Sequence, residues 1–229
     1  MINFCCFKSN KELDNFPGEI ISKHDETNIQ YLPWFFKEGR GQKWSLIENI
    51  NGQSVTYLFA LKKGFLNKLF NRMELIVCSK NWKRLNKQST YWQIAISKDI
   101  HKILKNHWKE TNQFLAIYGK ITGPKIEKNP YDFTSLTFFV DKIKIFNENR
   151  YMTHLELIRF CRKTGLDVLP IIEDEFDFNE NMSTNEFMRF SDGNSLVNPK
   201  VRRDGVILRS HDTDSSAKAR YKNLFKRMK

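Results

Sequence analysis

The apolar positions along this chain change period several times, and the changes divide it into elements. A strand pattern from Lys43 to Glu48 and a run rich in β-branched and aromatic residues, Val55 to Leu61, flank the polar turn Asn51, Gly52 and Gln53. Strand-like runs separated by so short a turn predict a β-hairpin. Upstream, residues 1–33 hold no period, Pro17-Gly18 marks a turn, and the apolar stretch Tyr31 to Phe36 is broken by Gly39-Arg40-Gly41. Downstream, Gly64 to Arg72 reads as a basic loop and Glu74 to Cys78 as a short strand. Trp92, Ile96, Ile100, Ile103, Leu104 and Trp108 recur at three- and four-residue steps, which predicts one amphipathic helix over 90–108 with His101 and His107 in solvent. Gln113 to Ile121 reads as a buried strand ending at Gly123-Pro124, and Leu136 to Phe146 as another.

The later part of the chain carries sharper local signals. Thr153-His154-Leu155-Glu156 has capping-box spacing, in which the Thr hydroxyl and the Glu carboxylate satisfy each other's orphan backbone N–H groups, so a helix starts there. Gly165, free of a Cβ, marks its left-handed end. A second box, Ser183 to Glu186, opens a shorter helix after the acidic run Glu173 to Asp177. Arg203 to Ser210 reads as a strand entered by a turn, and Ser215 to Lys229 as a basic helical tail. There is no internal repeat and no low-complexity segment. The order predicts one α+β domain over 1–229, mainly antiparallel sheets flanked by helices, with 1–22 as an N-terminal extension and 211–229 as the tail.

Composition narrows the class. At 229 residues, 40% hydrophobic and 14% aromatic, the chain can bury a real core. No apolar run approaches the roughly 18 residues that span a bilayer, and the N-terminal sequence has neither signal nor transit character. The expectation is an intracellular protein, cytoplasmic or organellar, neither membrane-bound nor secreted. Cys5, Cys6, Cys78 and Cys161 show no C-x-x-C pairing and no histidine at metal spacing, so they read as reduced structural thiols and no metal site is assigned. The formal net charge is +12, and residues 201–229 supply half of it, nine Lys or Arg against three Asp. Such a balance suits a polyanion such as nucleic acid. A lysine- and asparagine-rich genome would also raise surface lysine.

Several separated segments together resemble the ATP-dependent RNA ligases of the covalent nucleotidyltransferase superfamily, in the subgroup of the phage nick-sealing ligases. Lys23 to Gln30 (KHDETNIQ) is similar to that family's K-T-D-E-T-R-I-Q lead-in, and Glu48 to Tyr57 (ENINGQSVTY) to its nucleophile motif E-K-x-D-G-x-S-x-T. Cys78 to Asn81 (CSKN) looks like C-S-R-N, Tyr118 to Tyr131 like G-E-x-x-G-P-x-I-x-x-N-x-Y, Asp204 to Arg209 (DGVILR) like E-G-V-V-x-R, and Ser216 to Phe225 like the last motif, S-F-K-x followed by a helix. The resemblance implies a nucleotidyltransferase fold and a family reaction in which a lysine attacks the ATP α-phosphorus, with metal ions and carboxylates balancing the phosphate charge.

The reactive groups depart from that pattern. Asn49 stands at the nucleophile, and an amide nitrogen whose lone pair is delocalised cannot displace pyrophosphate. Asn51 stands at the second motif position, Asn28 at the lead-in arginine, and Lys120 at the G-E carboxylate, an inversion of charge; Asp204 keeps an acid. Glycines and other framework residues, among them Gly52, Gly119, Gly123, Asn129, Tyr131 and Gly205, persist. The resemblance places a nucleotide near Glu48, Gly52, Lys80, Asp204 and Lys218. Nucleic-acid contacts are expected from Arg202, Arg203, Arg209, Lys218, Arg220, Lys222, Lys226 and Arg227, and Trp34 or Trp82 would stack on bases if they are not core. Lys120 beside Asp204 would put an ammonium where the family holds a metal ion; alternatively Lys120 binds a phosphate directly.

The expected function is an RNA-ligase-like protein without catalysis, binding RNA or serving in a ribonucleoprotein or repair complex. Two alternatives remain open: an active ligase or nucleotidyltransferase using ATP and Mg2+ through a displaced lysine such as Lys43 or one elsewhere, and an ATP-binding sensor or scaffold. Because the phage-type enzymes carry a further C-terminal domain, this domain alone is expected to hold nucleic acid weakly or with a partner's help.

Overall fold

The computed structural model describes residues 13–19, 21, 26–32, 34–39, 41–61, 73–176 and 181–220. Two antiparallel sheets face each other. The larger is built from β1 (Leu13–Asn15), β3 (Gln53–Leu61), β4 (Met73–Ser79), β5 (Trp82–Arg84), β6 (Leu115–Thr122), β7 (Thr137–Ile145), β8 (Arg150–Tyr151) and β9 (Asp167–Val168). Its order is β1-β5-β4-β3-β6-β7-β8, with β9 running parallel to β7. The smaller has the order β10-β2-β11-β12, from β2 (Trp44–Glu48), β10 (Ile171–Phe176), β11 (Gly205–Ser210) and β12 (Ser216–Arg220). Among the described residues five α-helices accompany them: α1 (Phe35–Glu38), α2 (Thr90–Ser97), α3 (Ile100–Thr111), α4 (His154–Thr164) and α5 (Thr184–Arg189). The expected α+β class with antiparallel sheets and flanking helices holds.

Strand alternation sorts the core. On β3, Val55, Tyr57 and Phe59 pack with Ile94, Leu104, Leu157 and Phe160 of the helices, while Leu58 packs on the opposite face with Ile21, Ile76, Ala116 and Tyr118. On the small sheet, Trp44, Leu46, Val206, Leu208, Ala217 and Ala219 meet Phe35, Phe36 and Phe187 of α1 and α5. Ile47 and Ile207 face the other way, toward Tyr131, Phe139 and Leu169, and this contact joins the two sheets. Residues on the inward faces that are not apolar are left to line whatever space the sheets enclose.

Local signals hold where the chain needed only its neighbours. Both capping boxes are formed, at Thr153 with Glu156 and at Ser183 with Glu186, and Gly165 closes α4 at φ 70°. Other expectations need correction. The segments Trp44 to Glu48 and Val55 to Leu61 do not form a hairpin: β2 pairs with β10 and β11, and β3 with β4 and β6. All five residues of β2 are buried, so both its edges and both its faces are taken by one sheet and the next strand crosses to the other.

The single helix over 90–108 is two helices, broken where Asp99 adopts φ 51°, a conformation Asp tolerates better than most residues. Ile96 therefore ends up exposed, and His107 is half-buried against Phe160 with its pKa lowered by burial. Ser216 to Arg220, expected in a helical tail, is a strand. Ser216, Lys218 and Arg220 alternate with Ala217 and Ala219, and the two alanines fit the apolar seam. The loop expected over Gly64 to Arg72, the cysteines Cys5 and Cys6, and the tail after Arg220 lie outside the described residues. Cys78 and Cys161 are free and buried, with burial pushing each thiol up to about 12, so they are inert at neutral pH. Among the described residues no helix is long and apolar enough to cross a membrane.

Candidate functional site

The inward faces of the two sheets enclose a cleft of about 600 Å³, lined by Asn51, Gly52, Ser54, Lys80, Trp82, Arg84, Lys120, Glu127, Asp204 and Arg220 among others. It continues into a tight recess of about 30 Å³ that Asn49, Thr56, Lys218, Glu26 and Asp141 help to line. The cleft floor is the link between β2 and β3, and its shape depends on two glycines. A Cβ on Gly52 would sit 2.5 Å from the Ile121 carbonyl oxygen, and one on Gly119, at the irregularity in the β6–β7 register, would sit 2.3 Å from the Phe139 carbonyl oxygen. Neither position admits a larger residue without moving backbone.

On that floor the Asn49 amide donates to Asp204 Oδ2 at 2.9 Å, and its backbone N–H to the Gly205 carbonyl at 3.0 Å. The Asn51 N–H donates to the Tyr131 hydroxyl at 2.7 Å. Burial raises the Tyr131 pKa to about 12, and the nearby Glu48 and Asp204 charges add to it while the Asn51 bond opposes it. Lys120, on β6, donates to Ser54 Oγ at 3.0 Å and makes no ion pair with Asp204. The expected ammonium–carboxylate contact is thus replaced by two separate ones, Asn49 with Asp204 and Lys120 with Ser54, on facing walls of one cleft.

Deeper in, a charged cluster is closed on itself. Arg209 is buried and its Nη2 donates to Asp141 Oδ1 at 2.9 Å and to Glu26 Oε1 at 3.1 Å; its Nη1 reaches the Asp141 carbonyl. Burial works against the guanidinium's charge, and the carboxylates of Asp141 and Glu26 more than offset this, so its pKa is raised. Glu26 also meets Lys142 Nζ at 3.6 Å and accepts from Ser216 Oγ. Arg209 therefore holds the fold together and is not a surface contact for nucleic acid, which corrects the expectation for it. Behind Arg209, His154 and His211 stack at 5.6 Å, each with Nε2 3.6 Å from Asp174, and Ser45 Oγ joins His211 at 2.7 Å.

The other expected residues are distributed unevenly. Gly52, Lys80, Asp204, Lys218 and Arg220 are brought together in the cleft. Glu48 does not line it: the residue is fully buried, Oε2 accepts from the Leu196 N–H at 2.7 Å, and Oε1 has no partner among the described residues. Arg202 is exposed and paired with Asp192, and Arg203 packs against Gly193. Lys222, Lys226 and Arg227 fall outside the described residues. Asn28 caps the short 3-10 turn Ile29–Tyr31 through Gln30 and is bridged to Lys218 of β12, next to the recess but not among the residues that line it. Trp34 and Trp82 are both half-exposed, and Trp82 stands in the cleft.

Sequence reading did not single out Ser54, Arg84, Tyr91 or Glu127. Ser54 and Thr56 do carry a signal, since they are the polar members of the alternation along β3 and must share a face. Arg84, whose guanidinium lies 4.7 Å over the Tyr91 ring, follows Lys80 and Trp82 at two-residue steps into the same space. Glu127 arrives from a turn with positive φ, which no period announces.

Among the described residues no three His, Cys, Asp or Glu side chains are placed to hold a metal ion. Glu26 and Asp141 are committed to Arg209, and Asp204 has accepted the Asn49 amide. Among the described residues that leaves Glu127 and one Asp204 oxygen in the cleft, a poor donor set for a divalent cation, whose hard charge asks for several oxygens.

Several structures of Naegleria gruberi RNA ligase share this fold. One, a mutant with AMP and manganese, superposes with a TM-score of 0.76 at 24% identity, over 93% of this chain and 59% of that one. An apo mutant gives 0.77 at 24% over 93% and 59%, and a mutant with ATP and manganese gives 0.76 at 25% over 94% and 60%. The chain thus spans about three fifths of the length of those structures. No curated protein matches it in sequence. The RNA ligase family profile matches residues 42–227, from just before β2 to beyond the end of β12 at Arg220, and the chain belongs to the RNA ligase family.

Proposed function

We propose that this chain is a non-catalytic member of the family, which binds the phosphate end of RNA or a free nucleotide in the cleft and forms no covalent intermediate. The observation that carries this reading is the Asn49 to Asp204 hydrogen bond at 2.9 Å. The amide keeps the carboxylate in place and the cleft in shape, yet its nitrogen has no lone pair to give to phosphorus. The cations around it supply affinity for phosphate independent of base sequence. A role in a ribonucleoprotein or repair complex follows from the same basic cleft, with the partner supplying any chemistry.

The test is incubation with ATP labelled at the α-phosphate and Mg2+, then denaturing electrophoresis. Unlabelled protein is expected, together with salt-sensitive binding of a 5′-phosphorylated RNA. A covalent label overturns the reading. One observation favours an active second reading: Lys120 is half-buried in the cleft with its ammonium on Ser54. In that case its neutral amine would form the N–P bond as pyrophosphate leaves, and the label would map to Lys120. An ATP-binding sensor would instead be stabilised against heat by ATP and not by RNA.

A further inference from the structure

We infer that the cleft takes a nucleoside 5′-phosphate, free or at the end of an RNA strand, on side-chain cations alone and without a divalent metal ion. The inference rests on the reading of the cleft as a phosphate site and adds how the charge is met. A phosphate group brings negative charge into a space that must balance it, and three kinds of group can do so: a metal ion, a helix N-terminus or fixed cations. One helix starts beside the cleft, α2 at Thr90, but of its first turn only Tyr91 lines the space, and the Arg84 guanidinium lies 4.7 Å over that ring. Of the carboxylates near the cleft, Glu26 and Asp141 are engaged by Arg209 and one oxygen of Asp204 by Asn49, which leaves Glu127 and the other Asp204 oxygen, and among the described residues no three His, Cys, Asp or Glu side chains are grouped to hold a metal ion.

Fixed cations remain. Lys80, Arg84, Lys120 and Arg220 line the outer cleft against Glu127 and Asp204, and Lys218 adds a further ammonium in the recess. Lys120 decides the matter. Among the described residues its hydrogen-bond partner is the Ser54 hydroxyl, a neutral group, and no carboxylate pairs with it. A positive charge on that wall repels a divalent ion and attracts phosphate, so one residue both excludes the metal and replaces it. The half-exposed indole of Trp82 lies beside these cations and offers a face to the base attached to the phosphate.

The experiment is calorimetric titration of the full chain with AMP and, separately, with a 5′-phosphorylated RNA oligonucleotide, each at matched ionic strength in EDTA and in Mn2+. The expected dissociation constants agree between the two buffers within about twofold. Lys120→Met should weaken binding in EDTA by about tenfold, while Lys120→Arg, which keeps the charge and reports on folding, should bind like the parent. Binding by AMP alone assigns the site to free nucleotide, and binding by RNA alone assigns it to strand ends; either supports the inference. Binding that appears only with Mn2+, or a Lys120→Met protein that binds in EDTA as the parent does, overturns it and leaves the proposed function standing. Binding of neither ligand in either buffer removes both.

Discussion

Two groups of charges lie on the inward faces of the sheets, and they are treated in opposite ways. In the interior, Arg209 is matched to Glu26 and Asp141, and Lys142 closes the group. At the cleft, Lys80 and Lys120 face space, with Lys120 resting on a hydroxyl and Lys80 exposed. A buried charge without a partner costs several kcal/mol, so the interior cluster must be complete for the chain to fold. A charge beside solvent carries no such demand and can be kept for a ligand. The contrast separates residues that hold the cleft open from residues that would use it.

Four perturbations test that separation. Arg209→Met removes the cation from two buried carboxylates and should cost about 3 to 5 kcal/mol in denaturant unfolding; a loss below about 1 kcal/mol would mean that the cluster is not a structural requirement. Acid should reach the same region through His154, whose pKa is lowered to about 4 from 6.5 by burial first and then by the charge of Arg209, with Asp174 opposing and His211 adding. A histidine held neutral in the fold binds fewer protons than the unfolded chain between those values. Its contribution is therefore complete above pH 6.5 and is lost as pH falls toward 4. The difference between the parent and His154→Gln over that window should approach about 2 to 3 kcal/mol, and parallel stability curves would refute it.

The cleft should answer more weakly. Asn49→Ala deletes one hydrogen bond to a half-buried carboxylate and should lower stability by about 1 kcal/mol. Lys80→Met should leave stability within about 0.5 kcal/mol while weakening RNA binding, and a destabilisation comparable to that of Arg209→Met would erase the distinction between the two regions.

The same distinction explains what could be seen in the sequence. The capping boxes at Thr153 and Ser183 close within one helical turn, and Gly52 and Gly119 are forced by contacts of their own backbone, so short motifs announce them. The gathering of Gly52, Lys80, Asp204 and Lys218 was legible through the order of the motifs. The pairing of Arg209 with Glu26, 183 positions away, has no local signature, and an arginine in a basic stretch looks like a surface group until its neighbours are known. Glu48 was misplaced for a related reason: the acid beside the expected nucleophile turns its carboxylate to the Leu196 N–H and not to the cleft. In β12 the segment expected in a helical tail is a strand, because Ser216, Lys218 and Arg220 alternate with Ala217 and Ala219, and that period outweighs the helix preference of alanine.

The crossing of β2 and β3 between sheets also divides the strand pairings into near and distant ones along the chain. β3 can pair with β4 and then β6 as the chain emerges, but β2 must wait for β10 and for β11, whose partner β12 ends at Arg220. Such distant pairings are the slow ones, because a long loop must close before any contact rewards it. Asn49 can meet Asp204 only once β2 and β11 are paired. A phosphate ligand that needs both walls of the cleft would bind the closed protein alone, so its occupancy would add to the stability of the last-formed pairings by mass action.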